Sequence, residues 1–233
     1  MARRLGTRPE VWHAMDMARG ALVPVSADGR RFVAAGAALA LLGWRWRPLR
    51  WAGLGVAAVM AFFFREPKRV PPIGRPGVVV APADGEICVV DEAVPPAEAG
   101  LGTAPRRRVS VFLSLTDVHV QRAPVAGRVR GVMHTPGGFL SADLPEASER
   151  NERTVLVLRT AEGVDVACVQ VAGMIARRIV TKAAPGDTLT LGQTYGLIRF
   201  GSRVDLYLPL DTRVDVLAGQ RAVGGETVLG RLP

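Results

Sequence analysis

Two kinds of hydrophobic pattern divide the chain. Phe32 to Trp44 and Trp51 to Phe64 are runs of roughly 13 and 14 residues without a charged side chain. After Pro67 the pattern changes to short, valine-rich segments separated by glycine and proline. Long apolar runs are typical of helices, whereas short apolar segments bounded by turn residues predict strands. We therefore expect an N-terminal helical part, residues 1–65, followed by a β domain, residues 66–233.

Each apolar run is too short to cross a bilayer comfortably. As a helix, each extends about 20 Å, against a hydrocarbon core of about 30 Å. One continuous span would bury three arginines at about 2.5–3.5 kcal/mol each. We therefore expect a membrane-anchoring helical hairpin, re-entrant or tightly spanning, with Trp44, Trp46 and Trp51 at the interface. The alternative is a helical hairpin buried in a soluble core.

Basic residues flank the hairpin on both sides. Two ends that emerge on one side of a membrane, each rich in arginine, indicate the cytoplasmic side. The connecting loop is also basic, which weakens this orientation signal. The flanking residues are Arg30, Arg31, Arg65, Lys68 and Arg69.

A further helix is expected near the N-terminus. Thr7 and Glu10 have capping-box spacing, and Val11, Met15, Ala18 and Leu22 follow at helical intervals. The pattern predicts a short amphipathic helix that lies on a membrane or on the β domain.

The segments after Pro67 predict a mainly β fold. Ala-Pro-x-x-Gly turns recur between apolar runs, as in the small barrel-sandwich modules of biotinyl and lipoyl carriers. Neither Lys68 nor Lys182 lies at a hairpin tip, where those carriers attach their cofactor. We expect a barrel-sandwich-like antiparallel β domain, in which Leu140 to Arg153 forms either one short helix or an ordered loop. The predicted strands are 77–82, 108–115, 127–133, 154–159, 164–171, 195–200 and 204–208.

Composition narrows the classes of partner. The net charge is +9, yet only Lys68 and Lys182 among the 30 basic residues are lysines, a skew that a coding bias explains. No aromatic–basic stacking platform accompanies the charge, so nucleic-acid binding is not indicated. Cys88 and Cys168 lie in apolar runs and are expected as buried thiols, with no disulfide framework and no metal site.

Gly201-Ser202 separates two apolar segments near the C-terminus. The pair predicts a sharp bend between two strands. Glycine leaves its own carbonyl sterically open, so the Ser202 hydroxyl can approach the Gly201 carbonyl. The same dipeptide is also common in hairpin turns and bulges, and both interpretations remain open from the pattern alone.

Asp84, His119 and Ser202 supply the three residue types of a nucleophilic triad. Asp84 lies in an Ala-Asp-Gly turn, which an aspartate can stabilise without any chemistry. His119 follows a predicted strand and has Asp117 two residues before it. His134 precedes a glycine-rich turn. Each residue also has a purely structural interpretation, and spacing does not establish that they meet.

Five segments resemble one family. FFFREPKR, APADGEI, DVHVQRAPVAG, ASERNER and RFGSRVDLYLP are similar, in this order along the chain, to the short form of phosphatidylserine decarboxylase proenzymes. The resemblance covers about Phe62 to Leu208, and the N-terminal hairpin is similar to the family's membrane anchor. It implies cleavage between Gly201 and Ser202, which gives a heterodimer of residues 1–201 and 202–233. It also implies that Ser202 becomes a pyruvoyl group, with no metal required.

The resemblance assigns roles as well. Ser202 Oγ is expected to attack the Gly201 carbonyl, with His119 as processing base and proton donor and Asp84 as its orienting partner. The implied reaction converts phosphatidylserine in the cell membrane to phosphatidylethanolamine and CO2, at the cytoplasmic side. A pyruvoyl carbonyl would accept the electrons that the departing carboxylate releases.

One position departs from the family pattern. Longer bacterial relatives carry a second histidine three residues after the first, where this chain has Arg122. Either His119 performs both tasks or His134 is recruited, and His134 and Arg122 are candidates for substrate binding. Arg122 either faces the lipid phosphate or lies on a solvated loop; Arg177 and Arg178 also match the family. The alternative to an enzyme is a non-catalytic, membrane-anchored barrel-sandwich adaptor or carrier-like binding protein.

Overall fold

The computed structural model describes residues 23–72, 76–144, 146–174 and 178–233. The chain forms two compact units, with the boundary between Lys68 and Arg69. The amphipathic helix predicted from Thr7 to Leu22 lies outside the described residues.

The first unit contains a pair of helices, α1 (Ala27–Leu42) and α2 (Arg47–Phe63). Glycines allow the two helices to approach closely. A Cβ atom on Gly36 would lie 2.6 Å from the backbone nitrogen of Ala57, and one on Gly53 would lie 2.4 Å from that of Ala40. The predicted helical hairpin is therefore confirmed, and small residues at the contact are the reason for its tight packing.

The helical pair exposes much of its apolar surface. Neither helix, nor any other among the described residues, is long and apolar enough to cross a membrane. The large hydrophobic side chains exposed on the pair and its connection are Leu41, Leu42, Trp44, Trp46, Trp51, Leu54, Val56, Val59 and Phe62.

The second unit is mainly β, as predicted. A single turn of 3-10 helix (Ala97–Ala99) and a short helix, α3 (Ala147–Arg150), interrupt the strands. The strands are β1 (Val78–Val80), β2 (Gly85–Ala93), β3 (Arg106–Leu113), β4 (Val120–Arg122), β5 (Gly127–Thr135), β6 (Arg153–Arg159), β7 (Asp165–Ala172), β8 (Ile179–Thr181), β9 (Thr188–Leu189), β10 (Thr194–Ile198), β11 (Ser202–Leu208), β12 (Arg213–Val214), β13 (Arg221–Ala222) and β14 (Val228–Arg231).

The strands form three antiparallel sheets. The largest has eight strands in the order β13-β2-β3-β11-β7-β6-β5-β9 and curls into a half-barrel. The two smaller sheets have the orders β1-β14-β12 and β4-β10-β8. Apolar side chains from all three sheets, among them Ile87, Leu113, Leu206 and Leu229, form one buried core. Strand β11 therefore lies inside the main sheet, paired on both edges.

The bend at Gly201-Ser202 is confirmed, but the hairpin interpretation is wrong. Strand β10 ends at Ile198 and pairs with β4 and β8, whereas β11 begins at Ser202 and pairs with β3 and β7. The chain thus passes from one sheet to another at this bend. Between Leu140 and Arg153, both sequence alternatives are partly right, since a four-residue helix lies within an ordered loop.

Candidate active site

Ser202 is the first residue of a fully buried strand. It pairs with Leu113 on β3 and with Ala172 on β7, and its own side chain is buried. The Oγ atom makes no hydrogen bond to any described residue. Buried hydroxyl groups are usually hydrogen-bonded, but Ser110 Oγ is also buried without a partner among the described residues, so the unpartnered Ser202 hydroxyl is informative only together with its position beside Gly201.

The peptide before Ser202 is held in an unusual conformation. Phe200 has φ 65° and Gly201 has φ 62°, and Phe200 is the one non-glycine with positive φ among the described residues. The Gly201 N–H donates to Nε2 of His119 at 3.2 Å. The Gly201 carbonyl accepts a hydrogen bond from the N–H of Gly173, also at 3.2 Å. Both polar groups of Gly201 therefore have partners, whereas the adjacent hydroxyl has none.

His119 is buried, and its two ring nitrogens have different partners. Nδ1 lies 3.0 Å from the backbone carbonyl oxygen of Asp117, which can only accept a hydrogen bond. Nε2 receives the N–H of Gly201. These contacts require the proton on Nδ1 and the lone pair on Nε2. The neutral imidazole is thus fixed in the tautomer whose basic nitrogen faces the residue before Ser202.

Buried amide side chains hold the strand that follows His119. Gln121 donates from Nε2 to the His119 carbonyl at 2.9 Å, and Gln170 donates to Gln121 Oε1 at 2.9 Å. Thr181 donates to Gln170 at 2.7 Å. The sequence prediction did not include Gln121 or Gln170. Their positions in apolar strands, where a polar residue requires a partner, were the available signal.

Asp117 contributes through its backbone and its side chain. Its carboxylate accepts hydrogen bonds from the N–H and the hydroxyl of Ser114, at 2.9 and 2.7 Å, and pairs with Arg221. Burial raises the pKa of this carboxyl, but the hydrogen bonds from Ser114 and Arg221 outweigh burial and hold the pKa below its ordinary value. The charged carboxylate therefore stabilises the turn whose carbonyl orients His119.

Asp84 is held at the beginning of β2 by other contacts. Its carboxylate pairs with Arg69 at 2.6 Å and accepts the N–H of Gly224 at 2.8 Å. Burial is the largest influence on this carboxyl and raises its pKa, against the opposing effects of Gly224 and Arg69. The hydrogen bond at Nδ1 of His119 is made instead with the backbone carbonyl oxygen of Asp117. The orienting role of Asp84 stays a prediction.

His134 lies far from Ser202 in the main sheet. Across the sheet, His134 pairs with Thr154, Thr154 with Gln170, and Gln170 with Val204. Val204 lies on β11, two residues after Ser202. Three ladder steps of about 4.8 Å place it about 14 Å from β11. Its side chain is 51% exposed, with Nδ1 3.1 Å from the hydroxyl of Thr154. This separation favours His119 over His134 as the group that exchanges a proton with Ser202, an assignment that stays a prediction.

Arg122 is buried, so the expectation of a solvated loop is wrong. It ends strand β4, and its guanidinium donates to the carbonyl of Gly192 at 3.1 Å. Arg178 is exposed, and its carbonyl accepts the N–H of Arg199 in the segment before the bend. Arg177 lies outside the described residues.

The loop before β6 is anchored beside Ser202. Asn151 is fully buried and donates from Nδ2 to the carbonyl of Ala172 at 2.7 Å and to that of Leu140 at 2.8 Å. Its Oδ1 accepts the N–H of Leu140 at 2.8 Å. Because Ala172 pairs with Ser202, the Asn151 side chain connects this loop to the beginning of β11.

A buried ion pair anchors the same loop to β11. Arg203 Nε lies 2.9 Å from Asp205 Oδ1, and the hydroxyl of Ser148 donates to Asp205 at 2.6 Å. Arg203 also donates to Ser148 and, at 3.1 Å, to the carbonyls of Ala142 and Leu144. The ASERNER segment thus contributes anchoring side chains, a role that the sequence prediction did not specify.

A cavity of about 250 Å³ opens beside the bend. It gives access to Gly201 from a largely apolar surface that includes the exposed side chains of Leu115 and Met174. No group of three or more His, Cys, Asp or Glu side chains within the described ranges is arranged to hold a metal ion. The remaining lining residues are Phe112, Leu113, Ser114, Ser141, Ala142 and Gly173.

The site combines the parts needed for an intramolecular acyl transfer. A free hydroxyl adjoins a carbonyl whose oxygen is already hydrogen-bonded. The neutral imidazole of His119 accepts the N–H of the same residue, so a base lies beside this peptide, with Nε2 hydrogen-bonded to the Gly201 nitrogen and not to the Ser202 hydroxyl.

Comparison with known proteins identifies similar chains. The family model described as phosphatidylserine decarboxylase matches residues 56–230. A phosphatidylserine decarboxylase proenzyme of Mycobacterium avium (strain 104) is 59% identical over 221 residues, or 95% of this chain and 92% of the relative. Proenzymes of the same name from Mycobacterium tuberculosis (strain ATCC 25618 / H37Rv) and Rhodococcus jostii (strain RHA1) are 56% and 57% identical, over 98% and 96% of this chain and 98% and 94% of their own.

Proposed function

The chain belongs to the phosphatidylserine decarboxylase family and is a carboxy-lyase, and on this premise we propose that it makes its own catalytic group by self-cleavage. The cleavage falls between Gly201 and Ser202, and Ser202 becomes a pyruvoyl group. The mature enzyme then converts phosphatidylserine to phosphatidylethanolamine and CO2. Family membership removes the alternative of a non-catalytic adaptor.

The unpartnered hydroxyl of Ser202 carries this proposal. It is buried next to the Gly201 carbonyl, and the basic nitrogen of His119 lies 3.2 Å from the nitrogen of Gly201. An unsatisfied buried polar group costs about 1–3 kcal/mol, and a hydroxyl kept available for attack on the adjacent carbonyl accounts for that cost at Ser202. The residues present therefore fit a group formed from residue 202.

The proposed self-cleavage has three steps, namely ester formation, elimination and hydrolysis. Ser202 Oγ loses its proton to His119 Nε2 and attacks the Gly201 carbonyl carbon. The bond between the Gly201 carbon and the Ser202 nitrogen then breaks, and this nitrogen takes the proton from His119. The peptide bond has thereby become an ester. Loss of the Cα proton of residue 202 breaks the Cβ–Oγ bond and releases the Gly201 carboxylate. Water then replaces the amino group of the resulting dehydroalanine, and ammonia departs.

A pyruvoyl group at residue 202 supplies, when present, a carbonyl that accepts the electron pair left by a departing carboxylate. The chain's own residues position the substrate and exchange protons with it. His119 presents Nε2 as the site of proton exchange, because Asp117 holds the Nδ1 proton. Asp84, in electrostatic range of Asp117 and Arg122, contributes to the field of the site.

The two fragments are expected to remain together as a heterodimer. Residues 202–208 pair with β3 on one side, and residues 202–207 pair with β7 on the other. Strand β14 of the small fragment also pairs with β1 of the large one. Cleavage at Gly201 leaves all of these ladders in place.

A phospholipid substrate requires access to a membrane. The exposed apolar side chains of the helical pair support membrane association of the first unit. The basic residues at its two ends support the cytoplasmic side. Anionic lipid would be attracted by such charges at about 1 kcal/mol each. His134 and Arg122 remain candidates for contact with substrate, with Arg122 acting from a buried position.

Denaturing mass spectrometry of the purified protein tests the proposal. We expect fragments 1–201 and 202–233, the smaller with a pyruvoyl N-terminus that borohydride reduces. Ser202→Ala should remain a single chain and should not release CO2 from phosphatidylserine. A wild-type protein that stays uncut while it decarboxylates phosphatidylserine would exclude self-cleavage as the source of activity.

A further inference from the structure

Gly173 lies opposite the bond proposed to break. It follows the last residue of β7, and its N–H donates to the carbonyl oxygen of Gly201 at 3.2 Å. The bond extends the β7–β11 ladder by one residue beyond the pair of Ala172 and Ser202. The carbonyl that would receive the attack is therefore the acceptor of the last rung in this ladder.

Only glycine fits at position 173. A Cβ atom there would lie 2.4 Å from the Gly201 oxygen and 3.1 Å from its carbon. A non-bonded Cβ atom does not approach a carbonyl oxygen to 2.4 Å, so any side chain would push the two backbones apart. Glycine is required here for close approach between an N–H group and a carbonyl, which is a recurrent use of the residue.

Three polar groups converge on this one peptide. The Ser202 hydroxyl is buried and unpartnered, His119 Nε2 contacts the Gly201 nitrogen, and the Gly173 N–H contacts the Gly201 oxygen. Nucleophile, base and carbonyl donor are the three components that acyl transfer requires. The sequence prediction supplied the first two and gave no donor.

We propose that the Gly173 N–H stabilises the oxyanion that forms on Gly201 during self-cleavage. The inference rests on the proposed function. When Ser202 Oγ bonds to the Gly201 carbon, its proton passes to His119 Nε2 and the carbonyl electron pair moves to the oxygen. When the bond between the Gly201 carbon and the Ser202 nitrogen breaks, the electron pair on the oxygen re-forms the carbonyl. The proton then passes from His119 Nε2 to the Ser202 nitrogen. The Gly173 hydrogen bond remains on the same oxygen throughout.

The geometry leaves room for this bond to strengthen. Its length of 3.2 Å is at the long end for N–H···O bonds. Hydrogen bonds to a charged oxygen are shorter and roughly twice as strong. A donor that gains strength only as charge develops accelerates the reaction, and loss of one such donor typically slows catalysis about 10²–10³-fold. A bond that served only the sheet would affect folding and leave the rate unchanged.

Replacement of the Gly173 amide by an ester tests the proposal without adding bulk. Cell-free synthesis with a suppressor tRNA that carries glycolic acid inserts an oxygen in place of the N–H, and alkaline cleavage at that position confirms incorporation. Cleavage at Gly201 is followed over time by denaturing mass spectrometry. We expect it to be about 10²–10³-fold slower than in the wild type.

Two controls distinguish the loss of the Gly173 N–H donor from other effects of an ester on the fold. The same ester at Gly192, a buried glycine whose N–H donates to the Ala123 carbonyl at 2.9 Å, should leave cleavage within about threefold of wild type. Asn151→Ala measures any effect that acts through the Ala172 carbonyl, which the Gly173 ester also weakens. Thermal unfolding of each chain in a Ser202→Ala background verifies that the fold is kept.

The outcomes are distinct. The donor role is wrong if the wild type is cut and the Gly173 ester is cut at a rate within about threefold of it. It is also wrong if the ester slows cleavage no more than Asn151→Ala does. In both cases the proposal of self-cleavage stands. If wild type itself is never cut, the proposed function fails first. As a second variant, Gly173→Ala should block cleavage, whereas Gly131→Ala, at a position with open space, should not.

Discussion

Phe200 and Gly201 are consecutive residues in the left-handed backbone region, with φ 65° and 62°, immediately before Ser202. Such a conformation at a bulky residue costs about 1–3 kcal/mol and persists only where the surroundings enforce it. Here four hydrogen bonds do so. They join the nitrogen of Gly201 to His119, its oxygen to Gly173, the nitrogen of Ile198 to the His119 carbonyl, and that of Arg199 to the Arg178 carbonyl.

We expect this strain to assist cleavage, so that Phe200→Gly processes more slowly. Glycine adopts φ near 65° without strain, which removes a contribution that the breaking bond would otherwise release. A loss of about 1.4 kcal/mol corresponds to about tenfold in rate. The rate is measured as the fraction cut against time. Phe200→Ala is the matched control, because it removes the ring but keeps the strained backbone, and it should stay near wild type. A glycine variant as fast as the alanine variant would contradict the prediction.

His119→Ala should slow cleavage about 10²–10⁴-fold, the usual contribution of a positioned general base. Added imidazole should restore part of the rate, since the lost group is a base and the site adjoins an open cavity. His134→Ala serves as the control and should cut at the wild-type rate, because three strand positions separate it from β11. Normal cleavage in His119→Ala, or loss of cleavage in His134→Ala, would reverse these assignments.

Several of the longer strands were predictable because their apolar runs are continuous, whereas β2 (Gly85–Ala93), which is as long as any, was not among the predicted segments. Strands β3, β6, β7 and β11 lie in the buried sheet and match the predicted segments closely. Short strands such as β4, β9 and β13 have only two or three residues, too few to show any periodicity. Their pairing is decided by tertiary contacts that no local pattern contains.

The site was only partly predictable for a related reason. Along β11, Arg203, Asp205 and Tyr207 alternate with apolar residues, which is the pattern of a strand with one solvent-exposed face. In the structure all three are buried, because the loop anchored by Ser148 covers that face. Resemblance pointed to His119 and Ser202, but the close approach of Gly173 depends on sheet register alone.

Acid should weaken the turn that orients His119. The pKa of Asp117 is lowered in the folded protein, so its stabilising contribution is fully present above the ordinary value of 3.8 and is lost as the pH falls through the folded pKa. In a Ser202→Ala background, Asp117→Asn should therefore be less stable than its parent at pH 5–7. The difference, limited to about 1 kcal/mol by the exposure of Arg221, should shrink below about pH 4.

Thermal unfolding of both chains across this pH range provides the measurement. Asp211→Asn, at an exposed position, is the control for replacing an aspartate by asparagine, and its stability should stay within about 0.5 kcal/mol of the parent. A stability gap for Asp117→Asn that widens on acidification would have the wrong sign for a carboxyl with a lowered pKa, and would contradict the assigned contacts.

Two arginine–aspartate pairs with the same spacing should differ sharply in their effect on stability. Arg203 and Asp205 are 2% and 1% exposed, whereas Arg213 and Asp215 are 79% and 33% exposed. Asp205→Asn leaves the Arg203 charge buried without its counter-ion, which typically costs about 3–5 kcal/mol. Asp215→Asn breaks a solvated pair, worth less than about 1 kcal/mol. Both variants are compared by denaturant unfolding in a Ser202→Ala background, so that cleavage does not complicate the transition. The Asp205 carboxylate also accepts a hydrogen bond from the hydroxyl of Ser148. Asp205→Asn should therefore release the loop that contains Ser148, and added protease should then cut the chain within this loop. Equal stability losses in the two variants would show that the buried pair does not hold this loop.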